Sequence, residues 1–262
     1  MKISLVGKKA WVGGATAGIG KAIAHQLAAC GAEIILVARN EKKLQKTAAE
    51  LDISYQQQHR YIISDYLDHQ GHIEKITGFF SQNSIDILVN NTQGPEGGNL
   101  FQKESADYQK AFDLLFQTAV ETTRLALPHM QAQGFGRIIN VSSMTVKEPQ
   151  DNLVLSNTMR AALVSWSKSL SNAVAKDGIT VNSIMTGFFD TDRLNQLMKT
   201  QAESTGSSFE EIKKQRISAI PAGRLGKPEE YGFLVAFLAS EYSAFLTGTS
   251  LPLDGGIAST LF

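Results

Sequence analysis

Gly13-Gly14-Ala15-Thr16-Ala17-Gly18-Ile19-Gly20 joins the apolar run 10–12 to a segment in which Ala22, Ile23, Leu27 and Ala28 recur at helical spacing. The run before it is short enough for a buried strand. A strand that turns into a helix through several glycines brings backbone close to a bulky anion. The first free N–H groups of the helix then face that anion, and the helix dipole favours its charge. Gly14, Gly18 and Gly20 have the spacing G-x-x-x-G-x-G, with Thr16, Ala17 and Ile19 between them. Glycines also mark ordinary tight turns. The strand before and the helix after make a dinucleotide-binding loop the expected reading.

Working outward, strand and helix patterns alternate along the chain. The continuous apolar run at 34–38 suits a strand buried on both faces, and further strands are expected at 61–63, 85–89, 137–141, 179–184 and 250–253. Helices are expected over 41–51, 67–80, 105–131 and 151–176, with another starting at Pro228-Glu229-Glu230. The stretch 188–226 is polar and loosely helical, and reads as an inserted lid. This alternation predicts an α/β fold: a single-domain, Rossmann-like, doubly wound parallel sheet of about seven strands with helices on both faces. Ligands of such sheets bind beyond the carboxyl ends of the strands. The polar tips Arg39, Asp65, Asn91, Ser142-Ser143 and Thr186-Gly187 all fall there, which predicts one crevice.

The 262 residues suit one large domain, and an apolar fraction of 43% is enough for a continuous core. Lys plus Arg equals Asp plus Glu at 25 each, so neither nucleic acid nor a membrane surface is an expected partner. The single cysteine, Cys30, ends an apolar helical stretch and reads as a packed thiol. No signal-like apolar block stands at Met1–Gly7, and no run approaches the ~18 apolar residues of a membrane span; a cytoplasmic location is expected. His25, His59, His69, His72 and His129 have no metal spacing; they read as surface residues, His69 and His72 on an exposed helix, and no metal is expected. Trp166, with Leu163 and Leu170, reads as packing on a helix face, with a subunit contact as an option.

With these residues in place, the chain resembles the short-chain dehydrogenase/reductase family over nearly its whole length. The likeness rests on Gly14 to Gly20, on Asn90-Asn91-Thr92-Gln93 with Gly94, and on Gly136-Arg137-Ile138-Ile139-Asn140-Val141-Ser142-Ser143. It extends to Ile179-Thr180-Val181-Asn182, Gly187-Phe188-Phe189-Asp190-Thr191, Arg224 to Glu230, and Asp254-Gly255-Gly256. The resemblance implies that Asp65, with Tyr66 beside it, serves the adenine, that Asn91-Thr92 lies along the adenosine ribose, that Gly187 belongs to the nicotinamide loop, and that Phe189 and Thr191 face the nicotinamide carboxamide. Where NAD binders of the family place an acid, this chain has Ala38 followed by Arg39, which can hold a 2′-phosphate; NADP(H) is therefore expected over NAD(H). The alternative for Arg39 is a solvated residue at a helix start. The resemblance also implies a homodimer or homotetramer through the two long helices.

The family's chemistry uses a serine, a tyrosine thirteen residues later, and a lysine one helical turn beyond. Ser143 matches, but the other two positions hold Ser156 and Arg160. The family's helix asparagine maps to Leu115, its usual proline to Thr186, and its usual threonine to Gly13. No tyrosine lies between Tyr108 and Tyr231. Asn91-Thr92-Gln93-Gly94-Pro95, followed by Leu155-Ser156-Asn157-Thr158-Met159-Arg160, resembles a branch often labelled 3-oxoacyl-carrier-protein-reductase-like. Arg160 can still hold ribose hydroxyls but stays charged and relays no proton, and Ser156 is a weak acid. The expected function is an NADP(H)-dependent oxidoreductase of a small carbonyl or alcohol, with Ser143, Ser156 and Arg160 as candidate catalytic residues. Lys147 or water is an alternative proton source. The rival readings are a dinucleotide-binding sensor or partner with little catalysis, and non-redox chemistry around a structural cofactor.

Overall fold

A computed structural model describes residues 2–260. The expected α/β architecture is what is found: seven parallel strands in the order β3-β2-β1-β4-β5-β6-β7. They are β1 (Lys9–Gly13), β2 (Glu33–Ala38), β3 (Arg60–Ile63), β4 (Ile87–Asn90), β5 (Gly136–Val141), β6 (Ile179–Thr186) and β7 (Ser250–Leu253). Strand order reverses between β1 and β4, which pair with Val12 opposite Val89. That reversal opens the crevice in which such sheets take ligands.

Alternation along each strand divides the core between two faces. Ala10, Val12, Ile34, Leu36, Ile87, Val89 and Ile139 meet α1 (Gly18–Ala29), α2 (Glu41–Glu50) and α9 (Pro228–Ala239). Trp11, Ile35, Val37, Leu88 and Ile138 meet the opposite layer. That layer holds α3 (His69–Phe80), α4 (Ser105–Phe112), α5 (Thr118–Gln133) and α6 (Val154–Val174). Both faces are covered, as the continuous apolar run of β2 requires. β3 is the exception: an edge strand with Tyr61 and Ile63 exposed. Cys30 is buried as expected, and burial pushes its thiol up from the ordinary value.

Several expected elements are corrected. Strand β4 starts at Ile87, because Ile85 and Asp86 form its approach and Asp86 accepts the Lys9 N–H at 2.8 Å. The helix expected over 105–131 is broken by a π-helical turn, Asp113–Gln117, in which Thr118 Oγ1 donates to the Asp113 carbonyl at 2.8 Å. Such turns re-aim side chains at functional sites; this one turns Phe116 onto Trp166, their ring centroids 6.2 Å apart. His72 is not a surface residue. It is 1% exposed, its Nδ1 lies 2.8 Å from Ser64 Oγ, and its ring stands edge-on to Tyr66. The polar letters of α3 hid the fact that His72 and Ile76 share its buried face.

Within 188–226, α7 (Asp192–Thr205) and α8 (Phe209–Ser218) gather Leu194, Met198, Ala202, Ile212, Ile220 and Leu225 into a small separate apolar cluster. Thr191 caps α7 by accepting the Leu194 N–H, and Ser208 and Glu211 form a reciprocal cap on α8. No helix among the described residues is long and apolar enough to cross a membrane.

Candidate active site

A cleft of about 520 Å³ runs along the carboxyl ends of the strands. That is ample for a ligand of dinucleotide class. Its floor at one end is the glycine loop: Gly14, Thr16, Ala17, Gly18, Ile19 and Gly20 all line it. Gly14 and Gly18 have φ of +57° and +48°, a region that penalises other residues. Helix α1 begins at an extended Ala17 with no side-chain cap and no acid in its first turn. Its first N–H groups therefore face the cleft unpaired, the arrangement that takes up an anion.

The next wall comes from β2 and β3. Arg39 is exposed at the end of β2, and among the described residues no carboxylate lies within ion-pair distance of it. Asp65 lines the cleft while Oδ1 accepts the Leu67 N–H at 3.0 Å, which fixes the carboxylate in its turn. Tyr66 is 8% exposed and forms part of the same wall; burial pushes its phenol up from the ordinary value. His72, behind Ser64 and Tyr66, is held at a pKa of about 4, chiefly by burial and then by the charges of His69 and Lys75.

The far end is built on β4, β5 and α6. Asn91 and Thr92 line the cleft, and Asn91 Nδ2 donates to the Gly13 carbonyl at 2.9 Å. Beneath them, Asn90 Nδ2 donates to Asn140 Oδ1, and Asn140 Nδ2 donates to Ser167 Oγ, each at 2.8 Å. Ser167 in turn donates to the Leu163 carbonyl at 2.6 Å. This chain fixes α6 against the strand ends. A buried network with all its members paired rigidifies what it joins.

From that anchored helix, Ser156 and Arg160 reach the cleft one turn apart. Arg160 Nε donates to Ser156 Oγ at 3.2 Å, and Nη1 donates to the Val141 carbonyl. Burial lowers the guanidinium pKa, yet an arginine remains charged. Ser143, at the end of β5, accepts from the Thr145 N–H at 3.2 Å and from Thr145 Oγ1 at 3.1 Å. Both serine oxygens thus accept from the protein, and both hydroxyl protons are left for the cleft.

Of the candidate site residues read from the sequence, all but Phe189 and Lys147 line this one cleft, including Gly187 and Thr191. The Phe189 ring turns away from it: the residue is 5% exposed and packs edge-on against Tyr231, with centroids 5.4 Å apart. Thr186, read from the sequence as a polar tip of the crevice without a role of its own, lines the cleft; Arg193 and Leu197 line it too and were not expected there. The i, i+4 spacing of Arg193 and Leu197 on α7 was the available signal. Among the described residues, no group of three or more His, Cys, Asp and Glu side chains could hold a metal ion.

Fold and cleft together define a nucleotide-binding enzyme of the Rossmann type. Residues 14–258 match the family described as enoyl-(acyl carrier protein) reductase. The NADPH-dependent reductase BacG of Bacillus subtilis is 31% identical over 253 residues, covering 95% of this chain and 97% of the relative. The 3-oxoacyl-[acyl-carrier-protein] reductase FabG of Aquifex aeolicus is 31% identical over 259 residues, 98% of this chain and 100% of the relative. L-Sorbose reductase from Gluconobacter frateurii, solved with NADPH and L-sorbose, superposes with a TM-score of 0.91 at 30% identity, over 100% of both chains. The chain belongs to the short-chain dehydrogenase/reductase family of oxidoreductases.

Proposed function

We propose that the protein is an NADP(H)-dependent oxidoreductase that interconverts a small carbonyl compound and its alcohol through a proton-transfer site unlike the family's usual one. The observation that carries this is the span of the cleft, with a free Arg39 at one end and Ser143, Ser156 and Arg160 at the other. Uncapped N–H groups at α1 fit a pyrophosphate, and an exposed guanidinium fits a 2′-phosphate. The names of BacG and of the sorbose-reductase complex point to the same cofactor. Bound there, a nicotinamide supplies or accepts hydride.

The chain's own residues would do the rest. Ser143 donates its free proton to the substrate oxygen and orients it. Ser156, its oxygen already accepting from Arg160, holds a second proton toward the cleft. Arg160 supplies fixed positive charge where negative charge develops on that oxygen, the electrostatic part of catalysis. The family's tyrosine and lysine positions correspond to Ser156 and Arg160, so proton transfer falls to Ser156, Lys147 or water instead of a phenol. The α7–α8 segment within 188–226 serves as a lid, supported by Arg193 and Leu197 at the cleft wall. Association into a homodimer or homotetramer is part of the proposal and rests on the family alone.

The test is fluorescence titration with NADPH and NADH, followed by a panel of ketones, ketoses and 3-oxoacyl thioesters. Tight NADPH binding with turnover of one class supports the proposal. Tight binding with no oxidation across the panel removes the reductase reading.

A further inference from the structure

Tyr231 is 0% exposed on α9, and its hydroxyl lies 3.1 Å from Thr186 Oγ1 at the end of β6, with no other hydrogen-bond partner among the described residues. Burial pushes the phenol well up from its ordinary value, so it keeps its proton throughout the physiological range. A buried phenolic proton with one available acceptor must be donated to it, because an unmade hydrogen bond there costs more than a made one yields. Direction is therefore fixed: Tyr231 donates and Thr186 accepts. The Thr186 proton cannot return along the same line. Thr186 is half-buried at the cleft wall, beside Gly187, so its proton is left for a ligand in the cleft.

Ser143 and Ser156 follow the same logic, each accepting from the protein and left to donate. Thr186 differs in its place, on the strand leading into the loop Gly187 to Thr191, opposite α6. A proline, the family's usual residue here by the resemblance, has no hydroxyl and could not donate.

We propose that Thr186, held as a donor by Tyr231, binds the carboxamide oxygen of the nicotinamide ring. This rests on the dinucleotide reading above. Thr186 is then a cofactor-binding residue and Tyr231 a positioning residue. The neutral carbonyl oxygen of a carboxamide is the acceptor that a single neutral hydroxyl suits. The bond helps hold the ring in one orientation at the reacting end of the cleft.

The test uses two ligands and the full-length protein. NADPH carries the carboxamide; 2′-phospho-ADP-ribose has the same adenine, phosphates and ribose but no nicotinamide. Thr186→Val is expected to weaken NADPH binding about five- to tenfold, the span of one neutral hydrogen bond, and to leave 2′-phospho-ADP-ribose unchanged. Thr186→Ser, which keeps the hydroxyl, should restore NADPH affinity. Because Thr186→Val strands the Tyr231 hydroxyl, the comparison is repeated in a Tyr231→Phe background, where nothing is stranded; the same NADPH-only loss is expected. Tyr231→Phe alone should weaken NADPH about twofold. Wild-type affinity in that variant overturns the part assigned to Tyr231. If adding Thr186→Val to Tyr231→Phe leaves NADPH affinity unchanged, the proposal is overturned while the dinucleotide reading stays intact. Failure of the wild-type protein to bind either ligand overturns both.

Discussion

Asn91 Nδ2 donates to the Gly13 carbonyl at 2.9 Å, tying the end of β4 to the end of β1 across the point where strand order reverses. The two strands need this approach to be close. A Cβ on residue 13 would collide with the Asn91 carbonyl oxygen and meet the Tyr66 hydroxyl at 2.8 Å. That accounts for a glycine where the family usually has threonine. Asn91→Ala should cost about 1 kcal/mol and lower Tm by about 2–4 °C. Gly13→Ala should cost more, and should weaken NADPH binding more than Asn91→Ala, because it displaces the rim itself. Calorimetry beside fluorescence titration checks both.

Arg39 stands exposed at the tip of β2 with no carboxylate in ion-pair range among the described residues. A guanidinium left in this way and facing a 2′-phosphate would make charge-assisted bonds worth about 1.5–3 kcal/mol. Arg39→Asp should therefore weaken NADPH at least about tenfold and strengthen NADH, since the carboxylate can accept from ribose hydroxyls. Raising salt should erode the wild-type preference. Unchanged affinities for both nucleotides would remove the 2′-phosphate assignment.

The parallel α/β class and the cleft position were legible because they follow from alternation and from strand ends, which glycines and polar tips mark directly. Gly14, Gly18, Gly20, Arg39, Asp65 and Asn91, each at a strand end or helix start in the sequence, all line the cleft. What escaped was tertiary. Nothing local marks the π turn at Asp113–Gln117, which inserts one residue into an otherwise helical pattern. His72 looked exposed because its neighbours on α3 are polar, yet its face of the helix meets Ser64 and Tyr66. Phe189 lies in the right loop, but whether its ring meets ligand or core depended on Tyr231, forty-two residues away. The Thr186–Tyr231 pair is illegible for the same reason.

Ser156 and Arg160 offer a gain-of-function experiment. Arg160 is anchored to Ser156 and to the Val141 carbonyl, on a helix fixed by the Asn90–Asn140–Ser167 chain. Replacing Ser156→Tyr with Arg160→Lys should put a phenol and an ammonium on the same face without moving the helix. A general acid is worth about two to four orders of magnitude. The double variant should raise kcat on a generic ketone by about that range, with NADPH affinity changed severalfold at most. Arg160→Ala in the natural background should lower kcat and also strand the Val141 carbonyl, costing about 1–3 kcal/mol of stability. Single-turnover rates with saturating NADPH separate the two effects.

Acid should unfold the protein partly through His72. Its folded pKa of about 4 lies below the 6.5 of an exposed histidine, so the unfolded chain binds the extra proton first. Between those values the unfolded state gains protons that the folded state refuses. The stability linked to this residue is thus fully present above pH 6.5 and is lost as pH falls toward 4, at most about 3 kcal/mol. His25, also lowered, adds a smaller contribution of the same sign. His72→Gln keeps a polar group for Ser64 but does not titrate, so its stability curve should be flatter between pH 6.5 and 4. Parallel pH slopes in the two proteins would show that the burial of His72 does not set its charge.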